Sequence, residues 1–192
     1  AARYLQLEAL AVPVSCNTAI ERSGYFKTVV RTRIGSPYVI ATFDNLAADF
    51  TTYAGFEANG GFLLGSDVQV DQVRLTALPT RDAVLPALAV LALAGQGTVS
   101  ALLDTLPKRY TASDRITNFA TEKSKELLAQ AAAAPELFLT QLGFNGLDIS
   151  DLNQIDGLRI SLSNNDIIHL RPSGNAPELR CYAESLSLIH IS

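Results

Sequence analysis

Near the C-terminal end, Arg171-Pro172-Ser173-Gly174-Asn175-Ala176-Pro177-Glu178-Leu179-Arg180 brings together a guanidinium, a hydroxyl, a glycine, a carboxamide and a proline-fixed exit. Apolar, β-branched runs flank it: Ile167-Ile168-His169-Leu170 leads in, and Leu179-Arg180-Cys181-Tyr182-Ala183 leads out. The segment therefore reads as a loop between two strands. A glycine lets the backbone turn its N–H groups toward one point, where an oxyanion can collect them. Arginine adds a planar fork that matches phosphate oxygens in pairs. The same residues also fit an ordinary hairpin loop with a surface arginine, because short runs of turn residues are common.

A second stretch is Gly55-Phe56-Glu57-Ala58-Asn59-Gly60-Gly61, leading into Phe62-Leu63-Leu64-Gly65-Ser66. A carboxylate and a carboxamide two residues apart can address adjacent hydroxyls of a polyol. Glutamate accepts hydrogen bonds, whereas asparagine both accepts and donates. Alone, this stretch also fits a flexible turn with a solvated glutamate.

In this order and at this separation, the two loops resemble the alpha-D-phosphohexomutase family, the phosphomannomutases and phosphoglucomutases. That family carries a sugar-binding loop Gly-Glu-x-Ser-Gly-His in its third domain. Its fourth domain carries a phosphate-binding loop Arg-x-Ser-Gly-Thr-Glu-Pro followed by a strand. The likeness extends through Arg31-Thr32-Arg33-Ile34-Gly35-Ser36, Thr80-Arg81-Asp82-Ala83 and Leu106-Pro107-Lys108-Arg109-Tyr110, covering residues 1–184.

The resemblance implies a third domain over residues 1–104, a fourth over 105–184, and an atypical, apolar tail over 185–192. It implies that Glu57, Asn59 and Gly60 bind the sugar, and that Arg171, Ser173, Gly174 and Asn175 hold the phosphate that is not reacting. Asn59 and Gly61 depart from the family's Ser and His, and Asn175 and Ala176 from its Thr and Glu. Glycine cannot carry a proton, so no catalytic base is assigned in this chain. Ser15-Cys16 stands where some relatives place a lysine, and Gly35-Ser36 where some have Gly-His. Lys27, Arg33 and Arg180 read as surface charges and His169 as a satisfied strand histidine; His190 lies in the atypical tail and is discounted.

In the family a phosphoserine passes its phosphoryl group to the sugar, the hexose 1,6-bisphosphate turns over, and the other phosphate returns to the serine. The phosphoserine loop and the Mg2+-binding loop belong to the first and second domains, and neither motif is present here. Asp148-Ile149-Ser150-Asp151 lacks the glycines of the metal loop and reads as a linker or loop. The implied function is the C-terminal half of a cytoplasmic isomerase, an intramolecular phosphotransferase acting on mannose phosphates, with glucose phosphates as runner-up. Its partners are a phosphorylated hexose and the N-terminal domains of the same polypeptide, and the isolated chain is expected to be inactive. A non-catalytic phosphosugar-binding module and a structural fragment are the alternatives.

The elements that must position these loops follow from periodicity. Tyr4 to Leu10 reads as the remnant or exit of a helix, Ala11 to Val14 as a strand, and Asn17 or Thr18 as a cap for a helix toward Ser23. Thr28 to Thr32 and Tyr38 to Phe43 read as strands, and Asp71 to Ala77 as irregular. Asp82 to Ala94 reads as a buried helix, with Pro86 tolerated near its start, and Thr98 opens another through Leu106. Lys108 to Ile116 reads as a strand, followed by a helix from Thr121 that is interrupted and restarted at Pro135. Three β runs follow, 157–162, 167–170 and 179–183, with Asn164-Asn165-Asp166 as a hairpin turn. The predicted fold is an α/β layered domain with a mixed sheet between helices, then a small α+β domain with a helix on an antiparallel sheet.

Composition agrees with a globular chain: 192 residues, 48% hydrophobic and 18% charged. A net charge of −4 without a long basic run argues against nucleic acid. No secretory signal is visible, and the longest apolar run, 83–94, is too short for a bilayer, which needs ~20 residues. Cys16 and Cys181 lack metal-ligand spacing and read as buried thiols of a reducing compartment.

Overall fold

The computed structural model describes residues 1–187. Contacts divide the chain into two compact units, Ala1–Lys108 and a second beginning at Arg109.

The first unit is organised around β1 (Ala9–Pro13), which is buried along its whole length. Parallel pairing to β2 (Thr28–Thr32) on one side and β3 (Tyr53–Phe56) on the other makes it a central strand. β4 (Phe62–Leu64) then pairs antiparallel with β3, and β5 (Leu78–Asp82) with β4, giving a mixed sheet of order β2-β1-β3-β4-β5. Alternation along β1 separates two cores. Ala9 and Ala11 face Val39, Phe43 and Leu46, while Leu10 and Val12 face Leu5, Phe62 and Leu64. Fully burying Leu10 or Val12 contributes about 1.5–3 kcal/mol each. The expected layering of helices on a mixed sheet is observed.

Helix α1 (Ala19–Arg22) starts where Asn17 Oδ1 accepts from the Ala19 amide at 3.1 Å. Helix α2 (Ser36–Ile40) and helix α3 (Phe43–Asp49) occupy the stretch read from sequence as a strand, Tyr38 to Phe43. That reading is corrected. Pro37 sits in the first turn of α2, where its fixed φ suits a helix. Val39 then packs so closely that a Cβ on Gly55 would lie 2.1 Å from its Cγ1. Local β-propensity yields to this tertiary contact.

Other expectations also shift. Residues 1–7 form a closing turn: the Leu7 amide bonds Ala2 O, the Gln6 amide bonds Arg3 O, and Gln6 has φ 52°. This is the Schellman arrangement that ends helices, in keeping with the predicted helix exit, although β1 already begins at Ala9. Residues 71–77 are not irregular. β6 (Val68–Val70) and β7 (Val73–Leu75) form a hairpin whose two turn residues, Asp71 and Gln72, have φ 47° and 67°, as a type I′ turn requires. Asp82 ends β5, and its Oδ1 accepts from the Val84 and Leu85 amides, so it caps helix α4 (Val84–Ala94) rather than belonging to it. Helix α5 (Val99–Leu103) is capped by Thr98 and ends before Leu106. The apolar α4 is not the buried helix expected: Val84, Leu88 and Leu91 are 66%, 59% and 59% exposed.

The second unit is an antiparallel sheet with two helices on one face. Its strands are β8 (Tyr110–Thr117), β9 (Ile149–Asn153), β10 (Leu158–Leu162), β11 (Ile167–Pro172) and β12 (Glu178–Ser185), in the order β8-β12-β11-β10-β9. β9 overturns the reading of Asp148–Asp151 as a linker or loop; it pairs with β10 at the sheet edge. Helices α6 (Thr121–Ala133) and α7 (Pro135–Gln141) break at Pro135 as expected. They cover Leu158, Ile160, Leu162, Ile168 and Leu170. The alternate residues of the same strands, among them Arg159, His169 and Arg171, stand on the opposite face. The Asn164–Asp166 turn forms, with Asn165 at φ 69°. Cys16 is buried, but Cys181 is only half-buried, which corrects the expectation of two buried thiols. His190 and most of the atypical tail lie outside the described residues.

Candidate functional site

Each unit presents one polar loop at a strand end. In the first, residues 57–61 join β3 to β4. The Glu57 amide bonds Gly61 O at 2.9 Å, and the Gly60 amide bonds Glu57 O at 2.9 Å with Gly60 at φ 90°. This tight turn drives Glu57 inward, where only 6% of it is exposed. A buried carboxylate is costly unless paired and hydrogen-bonded, and two neighbours supply this. Ser36 Oγ, at the start of α2, donates to Glu57 Oε2 at 2.6 Å, and Arg81 Nη2, from β5, lies 3.0 Å from the same oxygen. Arg81 Nη2 also donates to Ser36 Oγ at 3.1 Å, closing a triangle.

Asn59 and Gly60 are exposed at the loop tip. The Asn59 carboxamide turns back, its Oδ1 accepting from the Gly61 amide at 3.0 Å. Gly61 is packed against Arg81: a Cβ there would meet Arg81 Cγ at 2.7 Å and Cδ at 3.0 Å. Sequence alone does not assign Ser36 or Arg81 to the sugar site; it marks Gly35-Ser36 only as standing where some relatives have Gly-His, and Arg81 only as part of the stretch Thr80-Arg81-Asp82-Ala83. The other nearby cations are engaged elsewhere. Lys27 pairs with Glu8 at 2.5 Å, and Arg33 lies over the Tyr38 ring at 5.4 Å. Arg31 ties the exit of β1 together, donating to the carbonyls of Pro13 and Asn17 at 3.1 and 3.2 Å and pairing with Glu21 at 2.6 Å. Cys16, beside it, is no substitute for a lysine. Burial pushes its thiol up to about 12, against the weaker pull of the Arg31 charge.

A cavity of about 420 Å3 also lies in this unit, lined by Phe26, Phe56, Phe62, Val90, Leu93 and Leu102 among others. Its largely apolar walls offer a polar ligand few partners, whereas the Glu57 triangle offers both donors and acceptors.

In the second unit, residues 173–177 join β11 to β12. Arg171, at the end of β11, is 15% exposed, and its Nε donates to Asp156 Oδ1 at 2.9 Å. Asp156 belongs to the turn between β9 and β10, which closes on Gly157 at φ 82°. A Cβ on Gly157 would lie 2.2 Å from Leu170 O and 2.9 Å from Arg171 Cα, so only glycine lets this turn support the arginine. Ser173 is buried; its amide bonds Glu178 O at 2.8 Å, and its Oγ accepts from the Asn175 amide at 3.4 Å. Gly174 and Asn175 are exposed at the tip, and a Cβ on Gly174 would meet nothing within 4 Å. The loop is therefore shaped, and its tip is open.

Across the sheet, Arg171 stands directly opposite Arg180, and Arg180 opposite Arg115. Like charges in register are unfavourable. Asp156 offsets Arg171, while Glu178 reaches Arg180 at 3.2 Å and Arg115 at 3.4 Å. Three guanidinium groups thus share two carboxylates beside the loop, and an anion at the tip would relieve the excess. Asp156 and Arg115 were missed because only the fold brings them to the loop, and Glu178, which directly follows it, because nothing local pairs it with Arg180 and Arg115.

His169, one rung below Arg171, is 2% exposed and stacks on Tyr182 at 5.4 Å. Its Nε2 donates to Asp156 O at 2.7 Å, and Nδ1 has no partner among the described residues. Burial holds its imidazole below the usual value, outweighing the opposing bond to Asp156. It is a buried strand histidine, as expected, but only half satisfied, because one ring nitrogen is bonded and the other is not. Among the described residues no three His, Cys, Asp or Glu side chains are grouped to hold a metal ion, and no helix is long and apolar enough to cross a membrane.

Residues 1–110 match the family model of phosphoglucomutase/phosphomannomutase, alpha/beta/alpha domain III. Over 181 residues, 94% of the chain, the sequence is 52% identical to a phosphomannomutase of Salmonella muenchen, of whose length it spans 38%. In structure the chain is similar to a phosphoglucomutase/phosphomannomutase family protein of Burkholderia thailandensis, at TM-score 0.64 and 17% identity over 98% of this chain and 38% of that one. It is also similar to an Aspergillus fumigatus N-acetylphosphoglucosamine mutase in complex with GlcNAc-6P and magnesium, at TM-score 0.55 and 16% identity over 97% of this chain and 38% of that one. These two likenesses establish the fold; the family model, matching more than half of the chain, establishes descent. The chain belongs to the phosphoglucomutase/phosphomannomutase family.

Proposed function

We propose that this chain is the substrate-holding C-terminal part of a phosphomannomutase, which interconverts mannose 6-phosphate and mannose 1-phosphate through a hexose 1,6-bisphosphate. The first unit is its third domain and holds sugar hydroxyls through Glu57, Asn59 and Gly60. The second is its fourth domain and holds the idle phosphate through Arg171, Ser173, Gly174 and Asn175. The observation that carries this reading is the open 173–177 loop with Arg171 braced on Asp156 and further guanidinium groups in register beside it. The 52% identity to a phosphomannomutase favours mannose over glucose phosphates.

The chemistry that follows is positioning. Phosphoryl transfer needs alignment and charge neutralisation more than covalent help from the protein. Binding energy from the idle phosphate orients the reacting end of the sugar. Among the described residues no group of His, Cys, Asp or Glu side chains fits a Mg2+ site, and no step runs through the metal here. Phosphorylated substrate and two free thiols favour a cytoplasmic setting.

Calorimetric titration of the 192-residue chain with mannose 1-phosphate tests the reading. Binding is expected, with loss of about tenfold or more in Arg171→Ala, and with no turnover. Equal affinity of parent and Arg171→Ala overturns the phosphate-loop assignment. Tighter binding of glucose 1-phosphate moves the substrate to glucose. Turnover by the isolated chain overturns its role as a holding part only.

A further inference from the structure

We propose that Arg81 is the donor half of the sugar site, its guanidinium hydrogen-bonding hydroxyl oxygens of the hexose phosphate whose protons go to Glu57. This deepens the reading above and rests on it.

A sugar hydroxyl both donates and accepts, whereas a carboxylate only accepts and a guanidinium only donates. A carboxylate alone therefore satisfies half of each hydroxyl. Asn59 is the residue placed by sequence to supply the rest; its carboxamide is turned back on its own loop, the oxygen accepting from the Gly61 amide at 3.0 Å, so that only its NH2 could add a donor. Arg81 is placed differently. Its Nη2 lies 3.0 Å from Glu57 Oε2, its side chain is 57% exposed against 6% for Glu57, and its other nitrogens keep their donors free among the described residues. The guanidinium is thus anchored at one corner and open along the rest of its edge, directly over a buried carboxylate.

Gly61 explains how it gets there. The Arg81 stem fills the space a side chain at position 61 would occupy, 2.7 Å from the Cβ position. β4 and β5 also shift register between Phe62 and Leu64. Such irregularities re-aim side chains next to sites. Glycine at 61 and arginine at 81 form one packing unit. The side chain lost from the loop is replaced by one that reaches in from the neighbouring strand. Unlike an imidazole, a guanidinium keeps its proton at every physiological pH, so Arg81 binds and positions and does not shuttle protons.

The test is titration of the chain with two probes, mannose 1-phosphate and inorganic phosphate. Arg81→Ala is expected to weaken mannose 1-phosphate by about tenfold and to leave inorganic phosphate unchanged. Because that variant strips Glu57 of its cation, Arg81→Lys is made alongside. It keeps a charge beside Glu57 but lacks the planar fork, and it too loses affinity for the sugar phosphate alone. Gly61→Ala pushes the arginine stem aside and weakens the parent, yet has no further effect in the Arg81→Ala background. Parent-like affinity for mannose 1-phosphate in both Arg81 variants overturns the proposal, as does an equal loss of inorganic phosphate. Arg171→Ala, which should lose both probes, reports separately on the phosphate loop. If the parent binds inorganic phosphate as tightly as mannose 1-phosphate, the sugar contributes nothing and the role of Arg81 falls while the phosphate loop stands.

Discussion

The two loops shelter opposite charges. In the first unit the buried group is the acid, Glu57, and its arginine lies in solvent. In the second the arginine, Arg171, is sheltered at 15% exposure together with its acid, Asp156. Each pair is closed by a chain segment other than the loop itself, because an unpaired buried charge would be expensive. Both tips are open: a Cβ on Gly60 or on Gly174 would meet nothing within 4 Å. What differs is the wall beside them, a paired donor and acceptor at Arg81 and Glu57 in the first unit and guanidinium groups in register with Arg171 in the second. A paired donor and acceptor suits small neutral hydroxyls, whereas surplus positive charge suits a tetrahedral anion.

Glycine substitutions break this contrast most sharply. Gly157→Ala forces a Cβ onto Leu170 O at a φ of 82°, and is expected to cost on the order of 3–5 kcal/mol in urea unfolding of the second unit. Gly174→Ala, in open space, is expected to stay within ~0.5 kcal/mol of the parent while weakening phosphate binding. Comparable destabilisation by the two would mean the tip is not open. Next in size, Arg171→Ala removes the sheltered Arg171–Asp156 pair, at a cost of about 1–3 kcal/mol. Arg81→Ala costs about 1 kcal/mol, because its partner keeps Ser36 and the pair is half in water. Equal losses would erase the distinction between a sheltered and an exposed cation.

Acid separates the units more gently. His169 is held below the ordinary imidazole value of 6.5 by burial. At low pH the unfolded chain takes up a proton that the folded unit resists, so this contribution is present above 6.5 and is lost as pH falls below it. Melting of the second unit should therefore soften below pH 6.5, and His169→Gln should flatten that slope. The first unit contains no histidine and lacks this response. A small effect is also expected of Asn59→Ala, which removes a turn cap worth about 0.5–1 kcal/mol. A larger loss of mannose 1-phosphate affinity in Asn59→Ala than in Arg81→Ala would return the donor role to the loop.

Where local pattern and tertiary packing agree, the chain could be read directly. β2, β8, β10, β11 and β12 follow apolar alternation or β-branched runs, and Pro135 marks the break between α6 and α7. Misreadings came where distant contacts decide. Tyr38 to Phe43 looks like a strand, yet Pro37 and the close approach of Gly55 to Val39 make the segment helical. Residues 71–77 look polar and shapeless because a two-residue turn with positive φ at Asp71 and Gln72 has no glycine to announce it. α4 is apolar on every face, which reads as burial, although Leu88 and Leu91 are exposed. The loops at 57–61 and 173–177 carried their own signatures. Their supports, Ser36 at the start of α2, Arg81 on β5 and Asp156 in the turn after β9, are isolated polar residues that acquire meaning only through tertiary contact.

The two cysteines give this chain a native pair of reporters, one in each unit. Cys16, with its thiol pushed up to about 12 and its Sγ directed to Phe56 O, stays inert to alkylating reagents while the first sheet is closed. Cys181, its thiol also raised by burial but only half-buried, sits between Leu170 and Asp114 in the strand that follows the 173–177 loop. Thiol modification therefore times the opening of each unit without any engineered probe. Inorganic phosphate held at the 173–177 loop should slow the clock at Cys181 and leave the one at Cys16 unchanged.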